Sequence, residues 1–265
     1  MFSTPPAAFP IGSIFNGTVV NAVTVLIGSG VGLLVGPRLP ERYHKIILQG
    51  LGLITLWLGF DAAINEFHAA VPAPAARFGP RLGLILVGSV VFGAMLGAAL
   101  RLHDRIDQLG QWIHRRFAAR SDHPVAEGFL SASVIFCVGP LTLLGCLENG
   151  TPPHDPSYLY IKALLDGFCS IALAASLGLG VLFSVLTVLG LQGALALAAY
   201  FAADLLADDV SLGLMKATGG VLLIGTGLSL LEIKRLPLTD FLPALFIPPI
   251  FVALIRAIGS EWLGN

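Results

Sequence analysis

The sequence predicts an all-α, polytopic membrane protein, a bundle of about eight transmembrane helices. Residues 12–36 contain no Asp, Glu, Lys or Arg, and comparable stretches recur to the C-terminus, divided by short charged clusters. The 265 residues are 55% hydrophobic and 12% charged, with a mean hydropathy of +0.85. That charged share is about half the ~25% usual in soluble domains. Lipid cannot hydrogen-bond a backbone, so such segments must cross it as helices of about 20 apolar residues each.

The segments fall at roughly 12–36, 46–64, 82–100, 129–147, 158–177, 182–203, 212–231 and 240–258, and residues 1–265 read as a single integral membrane domain. The N-terminus, MFSTPPAAFPIG, lacks the positive region of a cleaved signal peptide, so the first segment is expected to be retained. That segment carries Asn16, Thr18, Asn21 and Thr24 within an apolar stretch. An amide there wants a partner across a helix interface or in a wet cavity. Beyond them Gly28, Gly32 and Gly36 recur at four-residue spacing, and Gly93 and Gly97 repeat it in the third segment, the pattern of closely packed helices.

Between the third and fourth segments lies a polar connection, 101–128. Leu102, Ile106, Leu109, Ile113 and Phe117 form one apolar stripe on a helix whose other face is basic, which predicts an interfacial helix. The fourth segment holds Gly139-Pro140 at its middle. Proline removes a donor and clashes with the preceding turn, so a kink or break is predicted there. Freed carbonyls and half-helix ends at such a break can hold an ion, with Thr142 adding a hydroxyl. A plain kink healed by neighbouring helices is the alternative. Glu148 closes the segment and reads as its outer boundary. The fifth and sixth segments are joined by the uncharged run LGLGVLF and could form one long kinked helix.

Asp166 is the strongest candidate for chemistry. It sits near mid-span, where an acid costs about 2.5–3.5 kcal/mol on insertion scales, so it needs a partner. Lys162 lies four residues before it and Ser170 four after, on the same helix face. Lys162 is expected to neutralise it and Ser170 to hydrogen-bond it. Asp166 is then either a proton- or cation-carrying acid on a translocation path or half of a structural ion pair. Asn21 and Thr142 are expected within its reach. The transport or ion-binding candidates are thus Asp166, Lys162, Ser170, Asn21, Asn16, Gly139, Pro140 and Thr142. Gln192 and Thr226 are weaker path-lining residues, and Asp204, Asp208 and Asp209 read as a solvated loop.

Lys and Arg set the orientation. With the N-terminus outside, the connections 37–45, 101–128, 178–181 and 232–239 are cytoplasmic and hold ten of the fifteen basic residues, while Arg77 and Arg81 fall on the other side. Residues 26–59 align without gaps with 194–227, placing GLGLITLWLG opposite TGGVLLIGTG. Spans 1–2 would then match spans 6–7 in opposite orientation, as in the inverted repeats of secondary transporters.

Several classes find no support. Cys137, Cys146 and Cys169 lie in hydrophobic stretches without CxxC spacing, and the six histidines show no HxxxH or HExxH pattern. No GxSxG or P-loop appears, and GSGVGLLVG has the wrong glycine order for a dinucleotide loop. No cofactor, metal or catalytic set is expected. A net charge of −1 gives no case for nucleic acid. The expected partners are the lipid bilayer and a small ion or solute, and the sequence is compatible with a homo-oligomer.

The stretches NGTVVNAVTVLIGSGVGLLVG, LPER, EGFLSASVIFCVGPLTLLGCLENG, KALLDGFCSIALAASLGLGVLFS, ATGGVLLIGTGLSLLEI and FLPALFIPPI resemble the DUF554 family of bacterial membrane proteins along essentially the whole chain. The resemblance implies a multi-pass inner-membrane protein and carries no settled activity. Gly17, Asn21, Gly28, Gly32, Gly139, Lys162, Asp166 and Ser170 fall at positions that recur in that family, whereas the proline after Gly139 departs from it. The leading expectation is a small secondary transporter or channel for an ion or small polar solute, and not an enzyme. The runner-up is a membrane scaffold or regulator whose polar residues only hold the bundle together.

Overall fold

The computed structural model describes residues 11–35, 41–71, 79–117, 124–137, 139–203 and 208–257. These form α1 (Ile11–Val35), α2 (Glu41–Ala70), α3 (Gly79–Ala99), α4 (Leu102–Phe117), α5 (Pro124–Cys137), α6 (Pro140–Gly150), α7 (Ser157–Leu177), α8 (Gly180–Phe201), α9 (Asp209–Leu230), a 3-10 segment (Leu238–Phe246) and α10 (Ile247–Ala257). No strand occurs among the described residues. Among the described residues seven segments are long and apolar enough to cross a membrane, and α5 with α6, bent by 62°, pass the same test only as a pair.

The passes alternate in direction. Gly128 of α5 meets Gly180 of α8 at one end of the bundle, and Gly150 of α6 meets Ala196 and Ala199 of α8 at the other. The first end also carries Arg42, Lys45, Arg101, Arg105, Lys234 and Arg235, with Lys45 3.6 Å from Glu232. Apolar side chains such as Val23, Ile27, Leu84 and Met95 point outward, as they do where the solvent is lipid.

The structure draws the elements more finely than the sequence does. α7 and α8 are separate helices. Gly178 ends α7 with φ 74°, a left-handed conformation suited to glycine, and donates its N–H to the Ala174 carbonyl at 3.0 Å. α2 outruns its predicted 46–64, because a helix continues past the point where its residues stop being apolar. α5 already starts at Pro124, so the amphipathic connection is shorter than 101–128. The last span is not α-helical throughout. Its first half is the 3-10 segment with Pro243 inside, whose missing N–H cannot feed an α ladder. Gly36, Arg38, Arg77, Arg120 and Asp204 lie outside the described residues.

Glycine lets backbones touch. A Cβ at Gly28 would lie 2.2 Å from the Gly167 carbonyl oxygen, and one at Gly32 2.3 Å from that of Ile171, so α1 and α7 are in backbone contact. At Gly97 it would lie 1.9 Å from the Asp240 carbonyl oxygen, and at Gly93 2.4 Å from the Ala244 nitrogen, which seats α3 on the 3-10 segment. Between these contacts the core is aliphatic. Ala22, Val25, Phe136, Val181 and Val188 join α1, α5 and α8, and Leu82, Ile85, Leu214 and Val252 join α3, α9 and α10.

The α2/α9 contact is reciprocal. A Cβ at Gly52 would sit 3.2 Å from the Gly227 carbonyl oxygen, and one at Gly227 2.9 Å from that of Gly52. Gly59 and Gly220 repeat this at 2.9 and 2.8 Å. Gly59 also faces Ile224 as Gly227 faces Leu56, and Gly220 faces Ala63 as Gly52 faces Leu231. The gapless alignment of 26–59 with 194–227 equates Gly52 with Gly220, Leu56 with Ile224 and Gly59 with Gly227, and one turn further Ala63 with Leu231. The two antiparallel helices therefore meet about an approximate two-fold axis that relates the aligned segments.

Asp208 caps α9. Its carboxylate accepts from the Ser211 N–H at 3.0 Å and from the Ser211 hydroxyl, and pairs with Arg256 of α10 at 2.7 Å. Partial burial pushes this carboxyl up, but the Ser211 and Arg256 contacts outweigh it and hold it below the usual carboxylate range. A lowered folded value means the contribution is whole above the unfolded value, about 3.9, and fades as pH falls below it. Asp208→Ala is expected to lower stability by about 1 kcal/mol near neutral pH, and melting curves should show this difference shrinking in acid below about pH 4.

Candidate functional site

α7 carries the centre of the site. Helical spacing stacks Tyr158, Lys162 and Asp166 on one face, and packing turns that face inward: Lys162 is 4% exposed and Asp166 7%. The Lys162 ammonium donates to Asp166 Oδ2 in a short charge-assisted contact. Asn21 of α1 donates Nδ2 to the same oxygen at 2.9 Å. Two buried charges thus cancel, and a neutral donor from a second helix shares the acceptor, as burial demands.

Beside the pair lies a cavity of about 150 Å³. The break between α5 and α6 builds one wall. α5 ends at Cys137, Gly139 is extended (φ −178°, ψ 156°), and Pro140 occupies the first position of α6, where an N–H would have no helical partner. Thr142 satisfies two needs of the break. Its N–H donates to the Gly139 carbonyl at 3.1 Å, and its hydroxyl donates to the Phe136 carbonyl at 3.4 Å. The first turn of α6, with its partial positive charge, therefore lines the same cavity as Lys162 and Asp166. α2 contributes Leu48 and Leu51, α5 Ile135, α7 Leu165, and α9 Thr226.

The sequence candidates divide accordingly. Asp166, Lys162, Gly139, Pro140 and Thr142 border the cavity, and Asn21 reaches Asp166. Ser170 does not bond Asp166. Its hydroxyl donates to the Gly167 carbonyl at 2.7 Å and faces Gly28 in the α1/α7 contact. Spacing puts Ser170 and Asp166 on one face, yet a hydroxyl on a helix can equally bond a carbonyl of the preceding turn. Asn16 stands apart. Its Oδ1 accepts from Asn149 Nδ2 at 2.9 Å and from the Gly17 N–H at 2.7 Å, joining α1 to the end of α6.

A second ion pair, buried at Glu148 and half-buried at Lys216, lies toward the opposite end of the bundle. Lys216 of α9 is 2.7 Å from Glu148 of α6 and 3.9 Å from Glu66 of α2. Glu148 is 4% exposed and so belongs to the interior, not to a solvated boundary. Between this clasp and the cavity, Leu141, Leu144 and Leu223 pack with Tyr158 and Leu165. Lys216 was readable in LGLMKATGGV, since a lysine inside an apolar span obeys the rule that singled out Lys162.

A model of the family described as "Protein of unknown function (DUF554)" matches residues 16–253. The chain belongs to the DUF554 family. Two relatives of this DUF554 protein are similar along nearly their whole lengths. The "Uncharacterized membrane protein YdfK" of Bacillus subtilis (strain 168) is 29% identical over 246 residues, 93% of this chain and 99% of that protein. The "Uncharacterized protein YqgA" of Escherichia coli (strain K12) is 29% identical over 235 residues, 87% of this chain and 93% of that protein. No solved structure matches the chain. This DUF554 protein is a multi-pass membrane protein, and the matched region contains Asn21, Thr142, Lys162, Asp166 and Lys216.

Proposed function

We propose that this protein is a small secondary transporter of the bacterial inner membrane and not an enzyme. The Lys162–Asp166 pair is the point its cargo must pass. The observation that carries this is the placement of a buried ion pair at the wall of a cavity formed where a membrane span breaks. Such breaks line substrate sites in transporters because freed backbone and half-helix ends are tolerated only against protein or water.

The two-fold relation of α2 and α9 supports alternating access. It equates Leu48 and Leu51, which line the cavity, with Lys216 and Gly219. At that second place Leu144 fills the space, 3.0 Å from where a Gly219 Cβ would stand, and Lys216 is clasped by Glu148. The cavity thus lies beside Lys162 and Asp166, while Leu144 and the Lys216 clasp occupy its two-fold counterpart, an asymmetry expected of one state of a two-state carrier. The bias of Lys and Arg supports a cytoplasmic Lys45 end.

The scaffold reading is favoured by one observation, the closure of Asp166 onto both Lys162 and Asn21. Proteoliposomes with an internal pH dye, challenged with a panel of small ions and solutes, separate the two. Transport predicts a solute-driven signal that is absent from Asp166→Asn protein shown by its melting curve to be folded under the assay conditions. A scaffold predicts the signal of protein-free vesicles for every solute.

A further inference from the structure

We propose that the cargo is a small carboxylic acid with an apolar chain of about four carbons, its carboxylate seated on Lys162 and its chain in the cavity. This rests on the transport reading above and names the substrate class of that site. An apolar cavity of about 150 Å³ accepts a molecule the size of benzene. Leu48, Leu51, Ile135 and Leu165 supply aliphatic wall, while the polar side chains are gathered in the Lys162–Asp166 pair and the Thr142 and Thr226 hydroxyls. That division suits one polar head on an apolar body. A hard metal cation gathers about six oxygens, and the lining side chains offer one carboxylate and two hydroxyls. A polyol would leave hydroxyls unpaired against leucine. The sign of the head follows from Lys162, the cation among the described lining residues, and from the partially positive first turn of α6.

Charge balance then fixes the coupling. An incoming carboxylate takes the ammonium of Lys162 as its partner. Asp166, left without a cation, takes up one proton from the bulk solution by way of the water that enters with the cargo, and becomes a neutral acid still held by Asn21. One anion and one proton enter, both leave on the other side, and no net charge is buried in either state. Among the described residues, the thiols of Cys137 of α5, Cys146 of α6 and Cys169 of α7 feel the pair, and the Tyr158 phenol stands one turn before Lys162. α1 presents Asn21, and α2 and α9 present Leu48, Leu51, Thr226 and Leu230.

The test is the melting temperature of the full-length protein in lipid nanodiscs, titrated with butyrate, octanoate, 1-butanol and n-butylammonium. Butyrate should stabilise by mass action, with affinity rising close to tenfold for each unit of lower pH because one proton binds with it. The alcohol and the amine should have no effect, and octanoate should be excluded by length. The variant Lys162→Gln should lose the response. If Lys162→Gln does not fold, the paired change Lys162→Leu with Asp166→Leu should lose it instead. Equal stabilisation by 1-butanol, a pH-independent affinity, or an undiminished response in a folded variant overturns the proposal. A solute-driven signal that depends on Asp166, without any butyrate binding, would overturn this substrate class and leave the transport reading standing.

Discussion

Gly32→Leu is expected to prevent the bundle from assembling. At Gly32 a Cβ alone would stand 2.3 Å from the Ile171 carbonyl oxygen and 2.9 Å from the Ala174 Cβ, so a leucine must drive α1 and α7 apart. Backbone cannot yield as a flexible side chain does, and the cost should exceed the 1–3 kcal/mol typical of an overfilled core, reaching more than about 3 kcal/mol. α1 also brings Asn21 to Asp166, so separation would undo the site as well as the fold. Gly30 is the control: it lies on the same helix with nothing within 4 Å of an added Cβ. Gly30→Leu should melt like the wild type in detergent and in lipid, and Gly32→Leu should give little folded protein. A normal yield and melting temperature for Gly32→Leu would show that α1 and α7 do not touch there.

The second large effect concerns the ion pair. Asp166→Asn keeps the shape of the side chain and strands the Lys162 ammonium in the interior, which should lower stability by about 3–5 kcal/mol. Changing both residues to leucine removes both desolvation penalties and should return the melting temperature to near the wild-type value, since replacing a whole buried pair by apolar groups is often neutral or better. The cycle measures the coupling of two groups in direct contact, where additivity should fail. Additive losses would mean that the two charges are solvated separately and not paired.

Much of this site was legible because it is local. Lys162 and Asp166 lie on one helix four residues apart, and an acid at mid-span demands a partner. The Pro140 break was legible for the same reason, since a missing N–H acts within one turn. Periodicity fixes the face of a residue and not its rotamer, so the direction of the Ser170 hydroxyl was out of reach. The clasp of Lys216 with Glu148 and Glu66 joins α9, α6 and α2, and no spacing encodes a contact among three helices. The 3-10 half of the last span was signalled by the prolines of FLPALFIPPI, but hydropathy alone reads that stretch as an ordinary helix.

A transport role for Asp166 requires that water reach the Lys162–Asp166 pair from one side of the membrane. A single cysteine at Leu51, in a background lacking Cys137, Cys146 and Cys169, reports on the cavity directly. A membrane-impermeant thiol reagent should modify Leu51→Cys when applied from the cytoplasmic face. It should leave Leu223→Cys, wholly buried in the apolar layer beside the cavity, unmodified from either face. Failure of Leu51→Cys to react from both faces in a folded protein would mean that the cavity is dry and the pair structural, and would contradict a transport role for Asp166.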